Sequence, residues 1–170
     1  QVHSQDNMPD FIKWTDFLES LGYTNYYQDL NAKNYGVAQK RERCFMFSFL
    51  GECNYNFPQP IQLTKRIRDY QEKVVDNKFY LSDNALKGFA EHAKKQKEKG
   101  NGFHAVIKDV DDISSTITAR YCKDGSDCLI KVAGRIRKLT PRECGRLMGV
   151  SDEDIDKMAE VNSNTQLYKQ

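Results

Sequence analysis

The sequence predicts a mixed chain of α/β and α+β character. A helix and two strands of an open sheet occupy residues 1–50, a small mixed α/β region follows over 51–135, and helices close the chain over 136–170. Three observations lead there. Phe11, Trp14, Leu18 and Leu21 recur at helical spacing ahead of two strand-like stretches. The texture then turns irregular after Gly51, with Pro58 and Pro60. Finally, Thr140 with Glu143 and Ser163 with Gln166 each have the spacing of a capping box.

Residues 1–7 are polar and predicted to be loose. Pro9 suits a first helical turn, and Gly22 closes the helix it opens. Tyr26 to Ala32 reads as a strand. Cys44 to Leu50 reads as another, and its nearly unbroken apolar run predicts burial on both faces. Helix, strand, loop, strand is the texture of an α/β sheet, but this block is too short for a doubly wound domain.

Asn54 to Gln62 is loop-like, and Lys65 to Asp76 suits a short amphipathic helix. Ser82 caps a helix through Leu86, Phe89 and Ala93 that ends in lysines and Gly100. Phe103 to Val110 reads as a strand. Ile113 to Cys122 alternates, Lys123 to Ser126 turns, and Cys128 to Val132 returns, which predicts a hairpin. Thr140 and Pro141 then open a helix that carries Cys144, Leu147 and Met148 inward and stops at Gly149. Ser151 opens an acidic helix. Ser163 opens a last one, and a chain stopping inside it at Gln170 is expected to be cut from a longer one.

The net charge of +2 gives no argument for a polyanion partner, but the cations cluster: Lys40-Arg41-Arg43, Lys65-Arg66-Arg68, Lys94 to Lys99, and Arg135-Arg137-Lys138. The five cysteines show no C-x-x-C spacing and the three histidines are scattered, so no zinc pattern emerges. An odd cysteine count without a signal peptide predicts a reducing, cytoplasmic setting. No apolar run approaches the roughly 20 residues that span a bilayer.

The densest chemistry lies at Asn31 to Arg43. A polar loop with Gly36 leads into Gln39-Lys40-Arg41-Glu42-Arg43. In an extended segment Gln39, Arg41 and Arg43 share one face, with Lys40 and Glu42 opposite. Two guanidinium forks and an amide can recognise phosphate or the edge of a flat polar ring. By composition alone, a solvated basic strand end is the blander alternative.

Three stretches together resemble the DNA cytosine-5 methyltransferases. Asn31 to Arg43 is similar to motif VIII of that family, with Ala38 where its loop usually has proline. Arg137 to Gly149 is similar to motif IX, and Asn162 to Gln170 to the start of motif X. The order and spacing match, and the resemblance covers nearly the whole chain. It implies that residues 1–50 are a partial Rossmann-like methyltransferase sheet, the C-terminal remnant of a catalytic domain. Residues 51–135 would be the target-recognition domain, and 136–170 the motif IX helix and the start of motif X. Thr116-Ile117 looks like the family's Thr-Leu dipeptide. Lys99 to Phe103 and Thr118 to Gly125 are similar to stretches in the Dcm-like branch, which methylates the inner cytosine of a CC-containing palindrome.

Other family motifs are missing from these residues. There is no Phe-x-Gly-x-Gly methyl-donor loop, none of the four prolines precedes a cysteine, and Glu-Asn-Val does not occur. The expectation is a chain that lies beyond the catalytic half and is inactive alone. The resemblance implies S-adenosylmethionine as cofactor, bound mainly by the missing N-terminal part, and double-stranded DNA as partner. The target cytosine is flipped out and attacked by a thiolate. Arg43 would donate to the O2 edge of that cytosine and Arg41 would grip the flanking phosphate, with Gln39 near the gap in the duplex. Thr116 and Ile117 would hold the backbone at the flipped nucleotide. Thr118 and Arg120 are either DNA contacts or an ordinary exposed strand face.

The leading reading is therefore the DNA-recognising portion of a DNA cytosine-5 methyltransferase. The alternatives are the small subunit of a split methyltransferase and a catalytically inactive DNA-binding module. An exposed partial sheet predicts either self-association or a missing half supplied as another chain.

Overall fold

In the computed structural model, residues 5–102 and 104–169 are described. Residues 1–4 of the expected loose start, Phe103 of the expected strand and the terminal Gln170 lie outside them.

The first unit is helix α1 (Met8–Ser20) lying on an antiparallel ribbon of β1 (Tyr23–Asn31) and β2 (Glu42–Leu50). Pro9 and Asp10 sit in the first turn of α1, where a missing N–H and a negative charge are both tolerated. The register runs from Tyr23 opposite Leu50 to Asn31 opposite Glu42. Phe11 meets the edge of Tyr27 at a centroid distance of 4.9 Å, and Asn25 Nδ2 donates to the Thr15 carbonyl at 3.2 Å. The ribbon also supports an aromatic cluster. Phe47 lies 4.9 Å from Tyr55, which meets the edge of Phe57 at 5.1 Å.

Two expectations about this unit need correction. Strand β2 is not buried on both faces, since Phe45 is 45% and Leu50 74% exposed. Among the described residues β1 is its pairing partner and α1 packs against β1, so much of its apolar surface stays open. On α1 the inward residues are Phe11 and Thr15, while Trp14 and Leu21 face solvent.

The second unit is built on a three-stranded sheet. Strand β3 (Ile107–Asp109) runs parallel to β4 (Leu129–Val132), and β4 pairs antiparallel with β5 (Arg135–Arg137). Ala133 and Gly134 both have positive φ, 48° and 81°, as the tight turn of this hairpin requires. The hairpin is thus β4–β5, one element later than expected. The stretch 113–122 is not a strand. Its Ser114 pairs with the Gln39 segment instead, and the chain then enters a helical turn, α3 (Tyr121–Asp124). The expected amphipathic helix at 65–76 shrinks to a 3-10 turn at Ile67–Tyr70.

Helix α2 (Asp83–Glu98) starts at Ser82, whose side chain accepts from the Ala85 amide, and it buries no residue fully. Helices α4 (Pro141–Leu147), α5 (Asp152–Val161) and α6 (Asn164–Leu167) complete the chain. The expected capping boxes at Thr140–Glu143 and Ser163–Gln166 are both present. A Cβ built on Gly145 would fall 2.8 Å from Ile155 Cδ1, so glycine is what lets α4 approach α5 this closely.

The core comprises Ala38, Ile67, Tyr70, Ile117, Tyr121, Cys128, Ile130, Leu139, Cys144 and Leu147. It therefore draws on residues 1–50, 51–135 and 136–170 together. Tyr121 is fully buried, and its hydroxyl donates to the Cys128 carbonyl at 2.6 Å and accepts from the Leu139 amide at 2.9 Å. No helix among the described residues is long and apolar enough to cross a membrane.

Candidate functional site

The loop between β1 and β2 is shaped by Asn31. Its buried Oδ1 accepts from the amides of Lys33 at 3.3 Å and Arg41 at 3.2 Å, and the Ala32 amide reaches the Arg41 carbonyl at 2.9 Å. A 3-10 turn at Ala32–Tyr35 ends at Gly36, whose φ of 85° is a left-handed value that glycine adopts freely. The Ala38 amide then donates to the Tyr70 hydroxyl at 3.4 Å, which draws the next residues into the core.

Gln39 is consequently fully buried. Its Nε2 donates to the Leu147 carbonyl at 3.0 Å, and its Oε1 accepts from the Ile117 amide at 3.4 Å. On either side of it the backbone pairs with Ser114: the Ser114 amide reaches the Ala38 carbonyl and the Lys40 amide reaches the Ser114 carbonyl, both at 2.8 Å. Thr116 Oγ1 closes the seam by donating to the Lys40 carbonyl at 2.6 Å. Four segments thus converge: the start of β2, the 114–118 loop, the 3-10 turn and the end of α4.

The alternation expected over Gln39, Arg41 and Arg43 does not hold, because β2 begins only at Glu42. Gln39 goes to the core. Arg41 is half-buried, and its Nη1 donates to the Ile117 carbonyl at 3.2 Å. It lines a cleft of about 410 Å³ together with Ile117, Thr118, Met148, Met158 and Tyr168. Burial, with Arg43 as a neighbouring cation, lowers the Arg41 pKa below that of an ordinary guanidinium. Arg43 is exposed, and its Nη1 donates to the Glu42 carbonyl at 2.6 Å. It borders a separate polar basin shared with Lys40 and Glu42, the two residues expected to oppose it.

Ile117 is buried and Thr116 half-buried. Thr118 is exposed, with its hydroxyl donating to Asp127 Oδ2 at 3.2 Å, and Arg120 is exposed. Thr116 and Thr118 do not share a strand face, because no strand forms there. Met148, expected inward, is 39% exposed at the cleft, whereas Cys144 and Leu147 are buried. Burial, then the nearby charge of Glu143, pushes the Cys144 thiol well above its ordinary pKa. A packing role follows for Cys144, not a reactive one.

Sequence reasoning missed two supports of this site. Tyr70 caps the Ala38 amide. Arg146 donates from Nη1 to the carbonyls of Tyr70 and Gln71, each at 3.1 Å, and its Nε and Nη2 engage Asp152. The Arg146 contact could have been sought among the motif IX cations, but Tyr70 carried no local signal. Arg137, read as part of a basic cluster and as the start of motif IX, is buried against Glu143.

Residues 1–170 match the model of the C-5 cytosine-specific DNA methylase family. The chain belongs to this family. It is 39% identical over 175 residues to the type II methyltransferase M.SsoII of Shigella sonnei, an alignment covering 99% of this chain and 45% of that protein. It is also 39% identical over 144 residues to M.DsaV of Dactylococcopsis salina, covering 81% of this chain and 41% of the relative. The chain thus spans less than half the length of these curated relatives. Among solved structures, the S. pombe Dnmt2 methyltransferase matches with a TM-score of 0.75 at 17% identity, covering 99% of this chain and 57% of that one. Entamoeba histolytica EhMeth matches with a TM-score of 0.73 at 15% identity, over 94% of this chain and 51% of that one. These likenesses show a methyltransferase fold, in agreement with the mixed α/β class and the partial Rossmann-like sheet expected from the sequence.

Proposed function

We propose that this member of the C-5 cytosine methylase family is the DNA-recognising portion of a cytoplasmic DNA cytosine-5 methyltransferase. In that reading the enzyme carries a methyl group from S-adenosylmethionine to C5 of a cytosine flipped out of duplex DNA. The observation that supports it is the seam around Gln39. It joins the cationic start of β2 to the 114–118 loop, so that Arg41 and Arg43 emerge beside Thr116, Ile117 and Thr118.

In this reading Arg43, exposed at the start of β2, donates to the O2 edge of the flipped cytosine. Its value lies in being aimed where charge develops on the ring during attack. Arg41 serves the flanking phosphate. Thr116 and Ile117 shape the loop on which that backbone rests, and Thr118 and Arg120 reach DNA from the exposed end of the same loop. Gln39 positions these groups from the core, because its amide is already satisfied there.

S-adenosylmethionine does not find its holder among these residues. The sequence has no Phe-x-Gly-x-Gly loop, and the cleft beside Tyr168 offers Asp154 as its single carboxylate among mainly apolar walls. The nucleophile, the Glu-Asn-Val carboxylate and the cofactor loop come from the catalytic half, on the same polypeptide or a complementing subunit. The exposed apolar residues Trp14 and Phe17 on α1, and Phe45 and Leu50 on opposite faces of β2, are the surface offered for that half, or for a second copy in its absence.

The test is Arg43→Ala in the complete enzyme. Removing one preorganised donor of this kind costs on the order of 10²-fold in turnover, with DNA affinity changed far less. Unchanged turnover would remove the role given to Arg43. Methyl transfer onto duplex DNA by these 170 residues alone would overturn the division of labour.

A further inference from the structure

The basin beside Arg43 is unlike the apolar cleft that Arg41 lines. It holds about 380 Å³ and is lined by Asn31, Lys40, Glu42, Arg43, Lys108 and residues 113–116. Three cations face one carboxylate there, with the hydroxyl-bearing residues Ser114, Ser115 and Thr116 alongside.

Lys108 is the unexpected member. It sits at the centre of β3, directly opposite Ile130, which is fully buried. The strand is inverted relative to an ordinary amphipathic one: Ile107 is 48% exposed, while Lys108 is half-buried. A lysine on the inward side of a strand buries its aliphatic stem and must carry its ammonium to a polar outlet. Here the outlet is the basin. Among the described residues neither Lys40 nor Lys108 forms an ion pair within 4 Å, although both border Glu42's basin. With three cations against one carboxylate, and neither lysine paired with it, the basin keeps a net positive charge that an anion would balance.

The basin is also held rigidly. Lys40 is fixed by the hydrogen bond from its amide to the Ser114 carbonyl and by the Thr116 hydroxyl donating to its own carbonyl, and the 114–116 loop is fixed by the same contacts. We propose that Lys40 and Lys108, with Ser115 beside them, form a seat for one phosphodiester group of duplex DNA. Lys108 is then a DNA-positioning residue contributed by the region between the β2 strand and α4. This rests on the DNA reading above and deepens it. The seat lies across the β2 start from Arg41, so the two grip different phosphates and together fix the orientation of the duplex.

The test titrates the full chain onto fluorescein-labelled duplex DNA across a salt series, for wild type, K40Q, K108Q, K108R and the control K157Q on α5. Each phosphate contact contributes about 0.9 to the slope of log K against log salt. K40Q and K108Q should each lower the slope by up to about that amount, the double variant K40Q/K108Q by no more than about 0.9 in all, and each should weaken binding alike on unrelated sequences. K108R should restore the slope, and K157Q should leave it unchanged. Equal melting temperatures would show that the variants fold. A wild-type slope retained in K108Q overturns the seat while leaving the DNA reading intact. Failure of the wild type to bind DNA at all overturns both. If inorganic phosphate raises the melting temperature in a Lys108-dependent way while the DNA slope is unmoved, the seat belongs to free phosphate and the proposal fails.

Discussion

Arg137 and Glu143 form a two-pronged ion pair sealed from solvent. Nη1 donates to Oε2 and Nη2 to Oε1, both at 2.7 Å, and the two side chains are 1% and 0% exposed. Glu143 also accepts from the Thr140 amide at 2.9 Å and the Glu72 amide at 3.0 Å. One carboxylate thus ties β5, the cap of α4 and the chain after the 3-10 turn. Burial opposes the charge on Arg137, but the hydrogen bonds and charge of Glu143 together outweigh it and hold its pKa above that of an ordinary guanidinium.

Removing one partner should therefore leave an uncompensated buried charge. Glu143→Ala is expected to cost about 3–5 kcal/mol, whereas replacing both residues with apolar ones of similar volume should cost much less. Chemical denaturation of the single and double variants measures this. A Glu143→Ala chain as stable as wild type would show that the pair is not what joins these elements.

Gln39 is expected to behave as a core residue. Gln39→Ala leaves the Ile117 amide and the Leu147 carbonyl without their partner, at a cost of about 1–3 kcal/mol. Hydrogen exchange at the Ile117 amide should accelerate more than exchange within β1. If the amide stays protected and stability is unchanged, Gln39 is free to act elsewhere.

The buried thiols and phenol predict an alkaline weakness. Burial is the leading cause that raises the pKa of Cys144, Cys128 and Tyr121 above ordinary values of 9.0, 9.0 and 10.0. A folded-state pKa above the unfolded one means that the fold favours the protonated form. Its contribution is complete below the unfolded pKa and is lost as pH rises towards the folded one. The unfolding free energy from urea titration should therefore hold steady to about pH 8.5 and fall beyond it, by up to about 1.4 kcal/mol per pH unit for each such group, and the midpoint should fall with it. Cys144→Ala should flatten the early part of that fall, and a midpoint constant to about pH 11 would contradict the burial of these groups.

Much of this molecule was legible locally. The caps of α2, α4, α5 and α6 are written in Ser82, Thr140, Ser151 and Ser163, because a cap is satisfied within one turn of its own helix. The β4–β5 hairpin was misplaced because the alternation of 113–122 looks like a strand, while its partner, the Ala38–Lys40 backbone, lies far away in the chain. The apolar run of β2 reads as doubly buried, but composition records what a strand can be covered by, not what covers it.

For the candidate site the division is similar. Motif order alone pointed to the family and to Gln39, Arg41, Arg43, Thr116 and Ile117. It could not say that these residues part company. A period-two reading puts Gln39, Arg41 and Arg43 on one face, but the seam with Ser114 precedes the regular strand and turns each to a different environment. Gln39 goes to the core, Arg41 to the cleft and Arg43 to the basin with Lys40. Lys108 became visible only when β3 was seen to place it inward opposite Ile130. Sequence by itself determined which short-range elements form and which residue types are available to the candidate site. Tertiary structure decided which of them meet, because those contacts bridge about 75 to 110 residues of chain and depend on the buried partners of Gln39, Arg137 and Tyr121.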